Sequence, residues 1–247
     1  MVAYSVIVRP SPNLNHSGPY IYLRRISDAF TNAGAKATFF FNGNNYDCIY
    51  DSDRVADVKY AYAAGHMIGS HTWSNADLTT LSTPQVKDAM YRVEEALSRI
   101  LGIKPAFLRP PQGRYNNNVR NIAFGREQNL ALWDWDTGDA NGNTTAQSKA
   151  VYRQIANAQL SNALVLQHET EGQCFQFDIM TYSGSFFREY GLCASSVRYQ
   201  TFPEQRVQCA FDALFCIVTN RRRSLLHWLR ASVLNHTLPS ACLKTGP

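Results

Sequence analysis

The chain has 247 residues, which is enough for one large domain or for one domain with an appendage. Hydrophobic residues make up 45% and charged residues 17% of the sequence, and this balance excludes wholesale disorder. The net charge of +5 is a mild excess without a long basic stripe, so a nucleic-acid partner is not expected. The sequence contains no run of about 18 uninterrupted apolar residues, so no membrane span is predicted.

Helices and short apolar strands are predicted to alternate from about residue 20 to residue 168. The helices are expected over residues 21–33, 52–64, 83–101, 117–127 and 145–159. The strands are expected over residues 37–41, 67–70, 106–108, 130–135 and 163–166. This alternation is typical of βαβ units, and it predicts an α/β fold with a parallel sheet, either open or curled into most of a (β/α) barrel.

Polar or ionisable residues follow several of the predicted strands. They are Asn42, His71, Arg109, Asp136 and His168. Because the carboxyl ends of parallel strands meet on one face, we expect these distant residues to lie near each other, at the candidate active site.

A histidine follows the predicted strand 67–70. His71 suits a metal ligand or a general acid or base, although a hydrogen-bonded loop histidine is an equally simple interpretation. Asn75 lies four residues later and would share a face with His71 if a helical turn begins there. Its amide oxygen is a poor zinc ligand beside an imidazole.

Two further motifs follow strands. Residues 109–113 (Arg-Pro-Pro-Gln-Gly) form a rigid turn that can present an arginine and a backbone N–H to an oxyanion, or can be an ordinary loop. Three carboxylates, Asp134, Asp136 and Asp139, lie within six residues, and one of them can orient an arginine or a histidine.

Taken in order, these motifs resemble those of the polysaccharide deacetylase family (the NodB-homology carbohydrate esterases), most closely its fungal chitin-deacetylase-like members. The similar stretches are residues 37–45, 69–74, 109–113, 136–139 and 164–168. The resemblance covers roughly residues 18–170 and implies a distorted (β/α) barrel, complete or incomplete. We therefore expect three parts: a divergent N-terminal segment over residues 1–17, the deacetylase-like domain over residues 18–170, and a Cys-rich tail of unknown structure over residues 171–247.

The resemblance implies metal-dependent removal of acetyl groups from chitin or another glycan that contains N-acetylglucosamine. In the family an Asp-His-His triad holds a divalent ion, commonly zinc, which activates water and polarises the acetyl carbonyl. A neighbouring Asp is the base, and the histidine of the last motif, here His168, protonates the leaving amine. Arg109 and Asp139 belong to the implied catalytic set. The implied glycan contacts are Gln112, Trp73, Trp135 and Leu166.

The chain departs from the family pattern at the metal site. Residues 14–19 match the first motif, which the resemblance places at the end of the first strand, with His16 at the base position and Ser17 at the carboxylate ligand position. Asn75 replaces the second metal histidine, so the ligand positions hold Ser17, His71 and Asn75. We therefore expect weak or absent zinc binding and turnover, with His16 as a conceivable substitute base, or alternatively a non-catalytic glycan-binding homologue.

The ends of the chain do not share the resemblance. Cys48 is followed by five cysteines in the last 77 residues, which suits disulfides without fixing their pairing. Members of the family are usually secreted, whereas the start of this chain lacks the pattern of a signal peptide. Divergence and mis-spliced termini are both compatible with this pattern, and the oligomeric state stays open.

Overall fold

The computed structural model describes residues 2–7, 19–20, 22–32, 36–158 and 163–169, with only the backbone described for residues 2–7 and 156. Helices and strands alternate along these ranges, as the sequence predicts. In chain order they are β1 (Val2–Ile7), α1 (Leu23–Asn32), β2 (Thr38–Phe41), α2 (Ser52–Ala63), β3 (Met67–Ser70), α3 (Thr83–Leu101), β4 (Phe107–Leu108), α4 (Asn117–Gly125), β5 (Asn129–Leu130), β6 (Trp135–Asp136), α5 (Thr145–Asn157) and β7 (Ala163–His168). Single 3₁₀ turns lie at Leu78–Thr80, Pro111–Gly113 and Asp139–Asn141.

The seven strands form one parallel sheet in the order β5-β4-β3-β2-β1-β7-β6. In a flat sheet its two edges would lie about 29 Å apart, since neighbouring strands are about 4.8 Å apart. The chain passes from Leu130 on one edge to Trp135 on the other in five residues, which reach about 18 Å at most. The sheet must therefore curl, and it forms a barrel that is not closed by pairing of β5 with β6 within the described residues.

The prediction of one strand over residues 130–135 is wrong. The segment contributes to β5 and β6 at opposite edges, and its central backbone crosses the gap between them. The Ala131 N–H donates to the Leu108 carbonyl at one edge, and the Asp134 N–H donates to the Leu164 carbonyl at the other. An apolar run cannot show that its hydrogen bonds are divided between two distant partners.

The first strand also differs from the expectation. The resemblance places residues 14–19 at its end, but β1 is Val2–Ile7, between β2 and β7, with Ile7 opposite His168. Residues 14–19 start seven residues after this strand ends, and because residues 14–18 lie outside the described residues, their expected position stays a prediction. His16 and Ser17 lie outside the described residues. The mostly apolar run of residues 2–7, with β-branched residues and a tyrosine, was the overlooked sequence signal.

The core holds the strand ends rigidly. β2 buries Phe39, Phe40 and Phe41 completely, because both faces of a parallel sheet are covered. Helix α3 packs an apolar face that includes Val86 and Met90. None of the described helices has the length and apolar composition that a membrane crossing requires.

Candidate functional site

His71 begins the loop after β3 and is fixed by three hydrogen bonds. Its backbone N–H donates to the Phe41 carbonyl at 2.8 Å, and its carbonyl accepts from Asn42 Nδ2 at 2.7 Å. Its ring Nδ1 lies 2.7 Å from the Arg109 carbonyl oxygen. Since a carbonyl can only accept, Nδ1 carries the proton and the buried Nε2 carries the lone pair. This is the tautomer of a histidine that binds a metal through Nε2.

The loop that follows His71 is strained and tightly packed. Thr72 has a left-handed φ of 67°, and its carbonyl accepts a second hydrogen bond from Asn42 Nδ2 at 3.0 Å. Trp73 packs against Gly43, and the Arg92 guanidinium lies 3.9 Å from the Trp73 ring centroid. Trp73 is only 6% exposed, which does not favour the glycan contact predicted there, and that contact stays a prediction.

Asn75 does not sit on a helical turn with His71. Its own φ is 60°, and the residues between the two belong to no helix. Asn75 is half-buried, and its Oδ1 atom is buried without a hydrogen-bond partner in the described part of the chain. The left-handed conformation suits asparagine, which adopts it more readily than most residues.

Arg109 fastens the crossing segment to the end of β4. Its side chain is fully buried, and its guanidinium donates to the carbonyls of Ala131 and Leu132, each at 3.1 Å. The guanidinium also lies 4.4 Å from the centroid of the Phe40 ring and 5.7 Å from that of Trp133. Burial lowers the pKa of Arg109 to about 9.

The turn after Arg109 points the Gln112 side chain into solvent. Gln112 has a φ of 57°, and only its backbone can serve the oxyanion role that the sequence suggests. Gly113 packs against Trp133, since a Cβ on Gly113 would lie 2.8 Å from the tryptophan ring.

Asp139 is the carboxylate that orients a histidine. Its Oδ2 accepts from the His168 backbone N–H at 2.7 Å, and its Oδ1 lies 2.8 Å from His168 Nδ1. His168 therefore presents Nε2, which is buried without a hydrogen-bond partner among the described residues. Asp136 is exposed and accepts from the Gly138 N–H, whereas Asp134 accepts from the Leu164 N–H.

The two remaining predicted glycan contacts lie on neighbouring strands. Trp135 is half-buried on β6, which pairs with β7, and Leu166 is 2% exposed within β7. The structure thus brings His71 into contact with Arg109, and Asp139 into contact with His168, at the carboxyl ends of β3, β4 and β7.

Glu169 was missed by the sequence analysis. It follows His168, is fully buried, and its Oε1 accepts from the Tyr20 backbone N–H at 2.5 Å. Burial is the main reason why the pKa of Glu169 rises to about 8. An acidic residue that closely follows the apolar run of residues 163–166 was the available signal.

The described residues do not fit a zinc ion. A catalytic zinc site uses three protein ligands, and no group of three His, Cys, Asp or Glu side chains comes together in the described ranges. His71 offers one imidazole and Asn75 one amide, while Ser17 lies outside those ranges.

Comparison with known proteins identifies the family. Residues 17–125 match the family model "Polysaccharide deacetylase". A chitin deacetylase from Pestalotiopsis sp is 33% identical over 166 residues, which cover 60% of this chain and 55% of that protein. Residues 17–125 therefore carry a polysaccharide deacetylase domain. The chain spans about half the length of this curated relative.

Solved structures of the same family show the same fold. A family 4 carbohydrate esterase from Streptomyces lividans, in complex with acetate, superposes with a TM-score of 0.65 at 20% identity, over 79% of this chain and 91% of that one. A family 4 pseudoenzyme from Bacillus anthracis superposes with a TM-score of 0.60 at 20% identity, over 75% and 60% of the two chains. The α/β architecture of a curled parallel sheet is therefore the deacetylase fold.

Proposed function

We propose that this chain is a polysaccharide deacetylase homologue directed at chitin or a related N-acetylglucosamine glycan, with weak or absent hydrolysis. The observation that carries this proposal is the ligand set: His71 is the one imidazole at the family's metal positions, beside Asn75 and Ser17. The missing carboxylate and the second missing imidazole remove both the tight metal site and the activated water that amide hydrolysis needs.

The remaining catalytic groups support a relationship to the deacetylases, but they do not by themselves support hydrolysis. Asp139 accepts from the His168 Nδ1–H, so Nε2 is the nitrogen that can take up a proton and then donate it to a leaving amine. The Gln112 backbone N–H remains as a single oxyanion donor. One of these groups stabilises the tetrahedral intermediate and the other protonates the leaving amine, and neither of them creates the nucleophile.

Non-catalytic glycan binding is the second candidate. Trp133 and Trp135 are half-buried, so part of each ring is open to a ligand, and Trp133 packs beside Arg109. Aromatic faces pack well on sugar rings. The pseudoenzyme from Bacillus anthracis is an example of this fold in a protein named as a pseudoenzyme.

The deciding experiment is the metal content of the purified chain, measured together with acetate release from chitin oligomers. We expect substoichiometric zinc, and acetate release with added zinc or cobalt no higher than for His168→Ala. Stoichiometric zinc with release above that control would contradict the proposal.

Calorimetry with chitin oligomers tests the second candidate. Binding through the open tryptophan face should weaken in Trp135→Ala and stay unchanged in Phe124→Ala, a half-exposed aromatic near the end of α4. No heat at millimolar oligomer, or equal weakening by both variants, would count against glycan binding.

A further inference from the structure

One peptide group near the start of the domain is held by side chains from two distant elements. The Pro19 carbonyl accepts from Arg54 Nη1 at 3.2 Å, and the N–H of the same peptide, on Tyr20, donates to Glu169 Oε1 at 2.5 Å. Arg54 belongs to α2, and Glu169 directly follows β7. Both side chains are buried, with Arg54 8% exposed and Glu169 fully inaccessible.

Such an arrangement is not needed to build a helix or a strand. Helix α1 begins at Leu23, after this peptide, and the first strand ends at Ile7, well before it. Buried backbone groups must find partners, and here both partners are ionisable side chains that the candidate mechanism does not use.

We propose that Glu169 is a positioning residue which, with Arg54, clamps the peptide between Pro19 and Tyr20 against the end of β7. The clamp fixes the point at which the segment that carries His16 and Ser17 joins the domain. It ties this point to the strand end that also presents His168.

The charges around Glu169 fit a neutral acceptor. Burial, the largest cause, and the nearby Asp57 raise the pKa of Glu169, while the hydrogen bond from the Tyr20 N–H and the charge of Arg54 lower it, and the net result is a pKa of about 8. Arg54 is itself paired with Asp57, at 3.3 Å, and more weakly with Asp47, at 3.7 Å. Glu169 is therefore mostly protonated at neutral pH, and a glutamine carbonyl can replace its acceptor oxygen.

The test is amide hydrogen exchange at Tyr20, measured by NMR relative to the amide of Phe30 in α1. In the unaltered chain and in Glu169→Gln we expect the Tyr20 amide to be protected. In Glu169→Leu, which keeps the volume and loses the acceptor, we expect exchange at Tyr20 to accelerate at least about tenfold while Phe30 is unchanged. Tyr152→Phe is the matched control, because it removes a different buried hydrogen bond, to Gln167 of β7, and should leave the Tyr20 amide protected.

The proposal fails if Tyr20 keeps its protection in Glu169→Leu, or if Glu169→Gln loses as much protection as the leucine variant. If Glu169→Leu does not fold, Glu169→Asp replaces it, since its carboxyl is one methylene too short to reach Tyr20. Unchanged protection of Tyr20 in Glu169→Asp would then overturn the clamp. Exchange does not depend on turnover, so this result is separate from the fate of the proposed function.

Discussion

Asp139 and His168 are joined through two nitrogen atoms of the histidine. One carboxylate oxygen accepts from the His168 backbone N–H at 2.7 Å, and the other lies 2.8 Å from its ring Nδ1. Each residue is only 2% exposed. A single carboxylate therefore sets both the position of the strand end and the rotation of the ring, and bonds of this kind to a buried carboxylate are stronger than neutral ones.

Replacing Asp139 by asparagine should destabilise the protein by about 2–3 kcal/mol. The amide offers one acceptor instead of two, so its NH₂ group faces a donor nitrogen of His168. Urea unfolding measures the change. The control is Asp136→Asn, an exposed position three residues earlier that should change stability by less than about 0.5 kcal/mol. Equal effects of the two substitutions would contradict the buried pairing.

Gly43 lies in the loop after β2 and packs directly against the loop that follows His71. No side chain fits at this position. A Cβ on Gly43 would lie 1.9 Å from the Trp73 ring. The backbone N–H of Trp73 donates to the Ala89 carbonyl, and the Arg92 guanidinium lies over the ring, so Trp73 has little room to move. Gly43→Ala should therefore lower stability by at least about 2 kcal/mol.

Thermal unfolding of Gly43→Ala is compared with that of Gly125→Ala. A Cβ on Gly125, at the end of α4, would meet no atom within 4 Å, so this variant should be neutral or slightly more stable. If the two variants unfold at the same temperature, the ring is not where the structure places it.

The sequence predicts those features of the fold that are local. Helix α1 followed from the spacing of Leu23, Ile26 and Phe30, all of which are buried. The division of residues 130–135 between two sheet edges depends on strand pairing, which no local pattern encodes. The bond between Glu169 and Tyr20 joins residues 149 positions apart.

At the candidate site, too, the sequence predicts which strand ends carry the polar residues but does not predict which side chains pair with each other. Because parallel strands end on one face, the sequence could place His71, Arg109 and His168 at the same end of the sheet. It could not decide which of the three clustered carboxylates meets His168, since that depends on how the turn after β6 is folded. The 3₁₀ turn Asp139–Asn141 puts Asp139 in that position.

His66 is a buried histidine at the opposite end of β3. Its Nε2 lies 2.9 Å from Ser27 Oγ, and its Nδ1 accepts from the Ala37 N–H at 3.1 Å. Burial, and to a lesser extent the charge of Lys36, lowers its pKa to about 4. The folded protein therefore keeps His66 neutral at a pH where an unfolded histidine, with a pKa of about 6.5, takes up a proton.

Stability should consequently fall as the pH drops from 6.5 to 4. The contribution of His66 to the free energy of unfolding is fully present above pH 6.5. About 2–3 kcal/mol of it is lost by pH 4, because the unfolded state binds the extra proton. Urea unfolding at several pH values measures the slope, and His66→Gln should reduce it. Ser82→Ala, which removes the cap of α3, should lower stability without changing the slope. An unchanged slope in His66→Gln would show that another group is responsible.

Three side chains separate the metal site of this chain from the family pattern. His16→Asp, Ser17→Asp and Asn75→His together recreate one base and, with His71, three metal ligands. Histidine, like asparagine, tolerates the left-handed backbone at position 75. Because groups that act as a unit are strongly non-additive, the triple variant should bind zinc and release some acetate, whereas Asn75→His alone should do neither.

Elemental analysis measures the zinc content, and an acetate assay measures turnover. The control is the triple variant with His168→Ala added, which should bind zinc without full turnover. The first strand ends at Ile7, so the segment with positions 16 and 17 must still reach His71 from the clamp at Tyr20. A triple variant that folds but contains no metal would mean that this segment does not reach it, and that the site has been lost through geometry as well as through the identity of its side chains.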